Sequence, residues 1–295
     1  VISKTFPAER IRQIISDAGK ASQRQRDLPA HVVLYYVIAL ALYMRSSYRE
    51  VLRCLLEGIQ WLKGPSDPVR VTGKSGISQA RSRLGFEAVK RVHDEIVKPI
   101  ATDKTRGAWY RTWRPVSIDG TVLDVADTQS NRSYFKRPGA SRGDAAFPQL
   151  RIVSLVESGT HVLFGSQIAG CRTGENTLAN TVVESLAEGF LCLADRNFFG
   201  FSLWEKASLT GADLLWRVKK NVVLTPEQRL EDGSYLSRIY PNAYRRQKRT
   251  GGLVVRVVQY RLEGIEGAEK ELYRLITTIL DPDKAPAREL AALYH

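Results

Sequence analysis

The sequence predicts an α/β (α+β) chain: an all-helical N-terminal domain over residues 1–110, then a mixed-sheet core over residues 111–295 with a β-rich insertion at about 219–280. Three observations predict it. Apolar residues recur at helical spacing as far as about Tyr110, then alternate at strand spacing, and alternate again beyond Lys219. Between the two β-textured regions, helical stretches take turns with short apolar runs, the order expected when strands and helices are layered in one domain. With 295 residues, 43% of them hydrophobic and 25% charged, the chain can bury a sizeable core and reads as globular.

In the helical part, Phe6-Pro7-Ala8-Glu9 opens a helix with proline in its first turn and an acid near the N-terminal dipole. Ile11, Ile14 and Ile15 form its apolar stripe and Gly19 its stop. A second helix from Pro29 to Met44 is apolar nearly all round, which marks it as the centre of the domain. A third follows Ser47 with Val51, Leu52, Leu55 and Leu56 on one side, and the cluster Gly64-Pro65-Ser66-Asp67-Pro68 reads as a turn. Next, Lys74 to Leu84 sets small polar residues beside Arg81 and Arg83, while Ile77, Ala80 and Leu84 keep helical spacing. This pattern suits the second helix of a helix-turn-helix, with Lys74, Arg81 and Arg83 toward DNA; it also suits a solvated helix face.

Charge points the same way. Residues 1–110 hold 19 Lys and Arg against 10 Asp and Glu, most of the formal net charge of +13. A pI near 9.7 favours a polyanionic partner. Between Gly233 and Leu262 there is no acid, but seven basic residues, among them Arg245, Arg246, Lys248 and Arg249, with four tyrosines. Such a stretch suits phosphates and unpaired bases, or a solvated loop with tyrosines in the core. Cys54, Cys171 and Cys192 lack metal-ligand spacing, and two of them lie in apolar runs, as reduced buried thiols do. The four histidines are scattered, which argues against zinc. No signal sequence is evident, and the stretch from Val32 to Met44 is too short for a membrane span, so a cytoplasmic protein is expected.

Two short apolar runs each end on a lone aspartate: Val116-Ser117-Ile118-Asp119, followed by Gly120 as a turn residue with a second strand at Val122–Val125, and Phe190 to Ala194 before Asp195. The second run is almost uninterruptedly apolar, as in a strand covered on both faces. Two such strands side by side bring two carboxylates to one point, a donor set for octahedral Mg²⁺. A hairpin is expected around Ser158-Gly159-Thr160, a helix from Gly174 to Glu188, another near Leu203–Leu209 and a strand at Ala212–Val218. Antiparallel pieces followed by alternating helix and strand are what an RNase H-like mixed sheet requires. Trp216, in the last of these strands, reads as a packing residue.

Asp119-Gly120-Thr121 with Leu123 to Asp127, Arg172 to Glu175, Leu193 to Phe199 and Leu214 to Lys219, taken in order, resemble the DDE transposases of bacterial insertion sequences, in the group named after insertion sequence four. Phe6 through Leu56 resembles that group's N-terminal helical domain. The resemblance implies DNA cleavage and strand transfer at transposon ends with Mg²⁺ or Mn²⁺, in which Asp119 and Asp195 are the first two catalytic acids. It implies double-stranded DNA partners (terminal inverted repeats and target) and a homodimer on DNA. Tyr294 fits the tyrosine of the group's Tyr-x₂-Arg-x₃-Glu-x₆-Lys signature, whose glutamate would fall past His295; Glu175, Glu184, Glu188 and Glu289 are out of order for it. This chain is therefore expected to bind DNA and to cut poorly or not at all. Two other readings share these features: an RNase H-like nuclease or resolvase, and a decayed or domesticated DNA-binding remnant.

Overall fold

Ile11, Ile14 and Ile15 recur on one side of a helix, and in the computed structural model all three are buried. The structure describes residues 2–23, 28–63, 72–140, 143–144, 147–262 and 271–295. The chain divides into two units, Val1–Lys98 and Pro99–His295. The first is all-helical: α1 (Ile2–Thr5), α2 (Ala8–Asp17), α3 (Ala30–Leu42), α4 (Tyr48–Lys63) and α5 (Lys74–Ile96). Gly19, at a φ of 66°, lies just beyond α2. Helix α3 buries Val32, Val33, Leu34, Tyr35, Tyr36 and Ala39 against α2, α4 and α5, as its all-round apolar sequence requires. It ends at Leu42, short of the expected Met44, which is 85% exposed. Helix α5 buries Ile77, Ala80 and Leu84 and breaks at Gly85, whose φ of 71° departs from the helical region. The turn expected at Gly64–Pro68 lies outside the described residues.

The second unit is built on one nine-stranded sheet. Its elements are β1 (Arg114–Asp124), α6 (Gln129–Phe135), a two-residue pair β2 (Gly139–Ala140) and β3 (Gly143–Asp144), β4 (Gln149–Glu157), β5 (Leu163–Gly170) and α7 (Glu175–Val182). There follow β6 (Phe190–Ala194), α8 (Phe201–Ser208), β7 (Asp213–Arg217), β8 (Gln228–Arg229), β9 (Tyr235–Ile239), α9 (Ala243–Lys248), β10 (Leu253–Tyr260), β11 (Tyr273–Thr277) and α10 (Ala287–Tyr294). The strand order is β5-β4-β1-β6-β7-β11-β10-β9-β8. Strands β1, β6 and β7 are parallel, and antiparallel strands flank them on both sides. The sheet is mixed, and its architecture is the RNase H-like α/β class the sequence predicts.

The central strands are covered on both faces. Leu191, Leu193 and Leu215 pack with Leu290, Leu293 and Tyr294 of α10. Trp216, one residue on and so on the other face, meets Trp204 of α8 edge-on with ring centroids 5.2 Å apart. Both tryptophans are fully buried, and Trp216 is a core residue. Cys192 lies in the same layer, where burial pushes its thiol up to about 12. Cys54 is exposed, contrary to the expectation for a cysteine in an apolar run: its side of α4 faces away from the packed stripe of Val51 and Leu52.

One feature of β1 differs from the sequence expectation. Gly120 does not turn the chain; β1 continues unbroken to Asp124, paired residue by residue with β4 from Val116↔Glu157 to Asp124↔Gln149. The ladder holds the glycine extended, and its missing side chain serves a close approach instead. A Cβ at Gly120 would lie 3.0 Å from Oε1 of Glu175, the first residue of α7.

Glu157, at the far end of β4, is fully buried. Its carboxylate accepts from the backbone N–H groups of Ile100 (3.0 Å) and Ala101 (3.1 Å), from the Thr160 hydroxyl and from the Arg114 guanidinium. Arg114 also donates to the Ala101 carbonyl at 3.1 Å and lies over the Trp109 ring. The segment before β1 is thereby tied to the β4–β5 turn. Gly159 in that turn packs so closely that a Cβ would come within 2.4 Å of Ala108 Cα. Gly159→Ala is accordingly expected to destabilise the unit by about 1–3 kcal/mol through overpacking. Equal denaturant midpoints for the variant and the parent would contradict this contact.

Candidate active site

The pairing of β1 with β6 sets the site. Val116 lies beside Cys192, Ser117 beside Leu193 and Ile118 beside Ala194 in parallel register. The paired stretch ends there, and Asp119 and Asp195 are the next residue on each chain segment, seventy-six positions apart in sequence. Side chains alternate along a strand, so both aspartates belong to the face of Ser117 and Leu193, which α10 covers, and not to the face of α7 and α8. Both are exposed, while Leu191 to Ala194 are buried, so each carboxylate emerges from a rigid base.

The carboxylates are also available. Among the described residues the Asp195 carboxylate has no ion pair or hydrogen bond, and that of Asp119 accepts only from its neighbour Gly120, at 2.8 Å. The other acids on this stretch are engaged: Asp124 accepts from Gln149, and Asp127 pairs with Arg132 and Arg137. Among the described residues no group of three or more His, Cys, Asp or Glu could hold a metal. What converges here is a pair. Two hard, anionic oxygen donors on a fixed base fit Mg²⁺ or Mn²⁺, which take one or two protein carboxylates and fill the remaining positions with water or phosphate oxygens.

Tyr294 adjoins the pair. Its hydroxyl donates to the carbonyl of Ala194, the residue before Asp195, at 3.2 Å. Burial first, and the Asp195 charge second, push its phenol up to about 12. Arg196 (3.4 Å) and Arg217 (2.8 Å) share the Glu271 carboxylate, and Arg217 also lies over the Tyr273 ring at 4.3 Å. The sequence reading missed Glu271 and this shared pair. Its only trace in the sequence is an acid next to Leu272, at the start of an expected strand.

The basic residues singled out from sequence fall elsewhere. Lys74, Arg81 and Arg83 are exposed on the N-terminal half of α5; Arg81 lies 5.9 Å from the Tyr48 ring, and Arg83 borders a cleft of about 280 Å³ with Lys20 and Ser22. Arg245, Arg246, Lys248 and Arg249 are exposed on and just after α9, between β9 and β10. Asn242 caps this short helix by accepting from the Arg245 N–H at 2.9 Å, and Arg249 ends it in the left-handed region. Arg256, from the same acid-free stretch, is fully buried instead of facing a phosphate. Among the described residues no helix is long and apolar enough to cross a membrane.

Residues 1–94 match the family described as insertion element 4 transposase N-terminal, and residues 114–295 match the transposase DDE domain. Transposase InsG for insertion sequence element IS4, from Escherichia coli K12, is 25% identical over 299 residues, covering 97% of this chain. The chain spans 63% of that relative's length. The putative transposase InsZ of the same strain is 22% identical over 217 residues, covering 73% of the chain and 70% of the relative. A mixed sheet with an exposed aspartate just past the paired stretch of β1 and of β6 is joined here by a family match over more than half of the chain, and the chain belongs to the DDE transposase family.

Proposed function

We propose that this chain carries part of the machinery that cuts and joins DNA at the ends of an insertion sequence by metal-dependent phosphoryl transfer, in a cut-and-paste transposition. The parallel pairing of β1 with β6, which runs up to Ile118 and Ala194, the residues just before Asp119 and Asp195, is the observation that supports the reading. In it, Asp119 and Asp195 would hold a divalent ion, Mg²⁺ or Mn²⁺. When bound, the ion supplies Lewis acidity to the phosphate and to the attacking and leaving oxygens. The protein's own contribution is placement: buried β6 fixes Asp195, β1 fixes Asp119 between β4 and β6, and Tyr294 closes the side toward α10. No covalent enzyme intermediate is needed, since water and then a DNA 3′-hydroxyl serve as nucleophiles in line with the leaving oxygen.

Residues 1–110 serve as the DNA-binding domain and 111–295 as the catalytic domain, with the insertion at about 219–280. Lys74, Arg81 and Arg83 on α5, and Arg245, Arg246, Lys248 and Arg249 around α9, hold the backbone of the terminal inverted repeat. Two copies act together on the two ends, and the target is double-stranded DNA. Arg81→Ala/Arg83→Ala is expected to weaken DNA binding and to reduce the slope of log affinity against log salt by about 2, because two phosphates are no longer neutralised. An unchanged slope would remove α5 from the interface.

With Asp119 and Asp195 as its two candidate acids, the 295-residue chain is expected to bind end DNA and to cut it poorly or not at all. The test of function is joining. The chain extended experimentally by an Arg-x₃-Glu-x₆-Lys segment, given Mg²⁺ and DNA bearing terminal inverted repeats, should link donor 3′ ends to target DNA. Nicked products without joined ones would make it a nuclease, and binding without either would make it a DNA-binding remnant.

A further inference from the structure

Of the seven basic residues between Gly233 and Leu262, Arg256 is fully buried in β10. Every donor-bearing nitrogen of its guanidinium is answered. Nε donates to the Ser234 hydroxyl at 2.8 Å, and Nη2 donates to the Asp232 carboxylate. Nη1 points at three backbone carbonyls, those of Ala285 (2.8 Å), Ile279 (3.4 Å) and Asp281 (3.4 Å). The Asp232 carboxylate also accepts from the N–H of Ala287, the first residue of α10, at 2.8 Å. A buried guanidinium is tolerated only when it is paired and its donors are satisfied. Here both partners of the pair come from the insertion, and what they grip is the segment 279–287 that leads into α10.

The far end of that helix reaches the carboxylate site. Leu290 is fully buried, and Tyr294 donates to the carbonyl before Asp195. An eight-residue helix is a rod of about 12 Å, so where it starts decides where Tyr294 arrives. Arg111 and Tyr110 grip it once more at the surface, through Glu289, and Arg111 also donates to the Asp283 and Lys284 carbonyls just before it. The interior hold at its start is the Arg256–Asp232 pair.

We propose that Arg256 and Asp232 are positioning residues, through which the β-rich insertion sets α10, and with it Tyr294, against the strand end that carries Asp195. The inference rests on the reading of Asp119 and Asp195 as metal ligands, and it assigns the insertion a second task beside holding DNA. It also explains why one arginine of an otherwise exposed basic stretch lies in the interior.

Amide hydrogen exchange on the 295-residue chain, with Mn²⁺ alone as the metal probe, tests it. Arg256→Met is expected to speed exchange over residues 287–294 by roughly tenfold while β9 and β10 keep their protection, since freeing one element opens it locally. Mn²⁺ affinity should fall several-fold in the same variant, and Arg256→Lys, which keeps the charge for Asp232, should restore part of both. Unchanged exchange over 287–294 would overturn the proposal, and so would a uniform rise over 99–295, which indicates general destabilisation. Should Arg256→Met not fold, Ser234→Ala removes one hydrogen bond and leaves the ion pair. A smaller rise confined to 287–294 then supports positioning, and no localised rise overturns it. If the parent chain binds no Mn²⁺, the metal reading fails, while the exchange comparison still decides whether the insertion sets α10.

Discussion

Asp119→Asn and Asp195→Asn are each expected to lower Mn²⁺ affinity on the order of 100-fold, which corresponds to about 3 kcal/mol. The register leaves one carboxylate when the other is neutralised, and a hard dication loses half of its protein charge with it. Because the pair would act as one site, the double variant should bind little worse than either single one. Both side chains are exposed, and asparagine keeps their shape, so unfolding free energies should stay within about 0.5 kcal/mol of the parent. Calorimetric or EPR titration with Mn²⁺, beside a denaturation curve for each variant, checks both halves. Independent, additive losses would mean that the two acids hold separate ions.

Glu157→Gln should instead act on the fold, lowering the stability of the second unit by about 3–5 kcal/mol. Removing one partner of a buried ion pair leaves the other uncompensated, and here Arg114, only 16% exposed, would lose its counter-charge. The pH dependence follows from the same group. Burial raises the Glu157 pKa, but the hydrogen bonds from Thr160, Ile100, Ala101 and Arg114 outweigh it and hold the carboxyl below the ordinary 4.5. A carboxyl depressed on folding contributes its full stability above the unfolded value and loses it as pH falls through the folded one. Denaturation midpoints of the parent should therefore drop below about pH 4.5, and the glutamine variant should lack that part of the decline. Identical acid limbs for both proteins would show that Glu157 is not the group responsible.

What could be read from the sequence follows from which interactions are local. The apolar run at Phe190–Ala194 announces β6 because a strand covered on both faces has no polar side to show. Helix α3 announces itself for the same reason, and alternation marks β10 at Leu253–Tyr260. The placement of Asp119 and Asp195 depends on register, which periodicity does not encode; only resemblance to a known family suggests it in the absence of a visible pairing. Register also explains what the sequence hides. Gly120 has the letter of a turn, yet nine consecutive partners on β4 keep it in the strand. Arg256 reads as one more cation of a basic stretch until Asp232, twenty-four positions earlier, meets it across the sheet. Glu157 reads as an ordinary hairpin acid because its partners at residues 100, 101 and 114 lie more than forty positions away.

The most direct measurement replaces Mg²⁺ with Fe²⁺ and lets ascorbate and peroxide cut the polypeptide backbone beside the bound ion. One shared ion should give cleavage at two places, near Asp119 and near Asp195, with both lost together in Asp119→Asn and in Asp195→Asn. Cleavage near one aspartate only, or at either site independently of the other acid, would contradict a shared metal centre, and with it the assignment of DNA cutting to this pair.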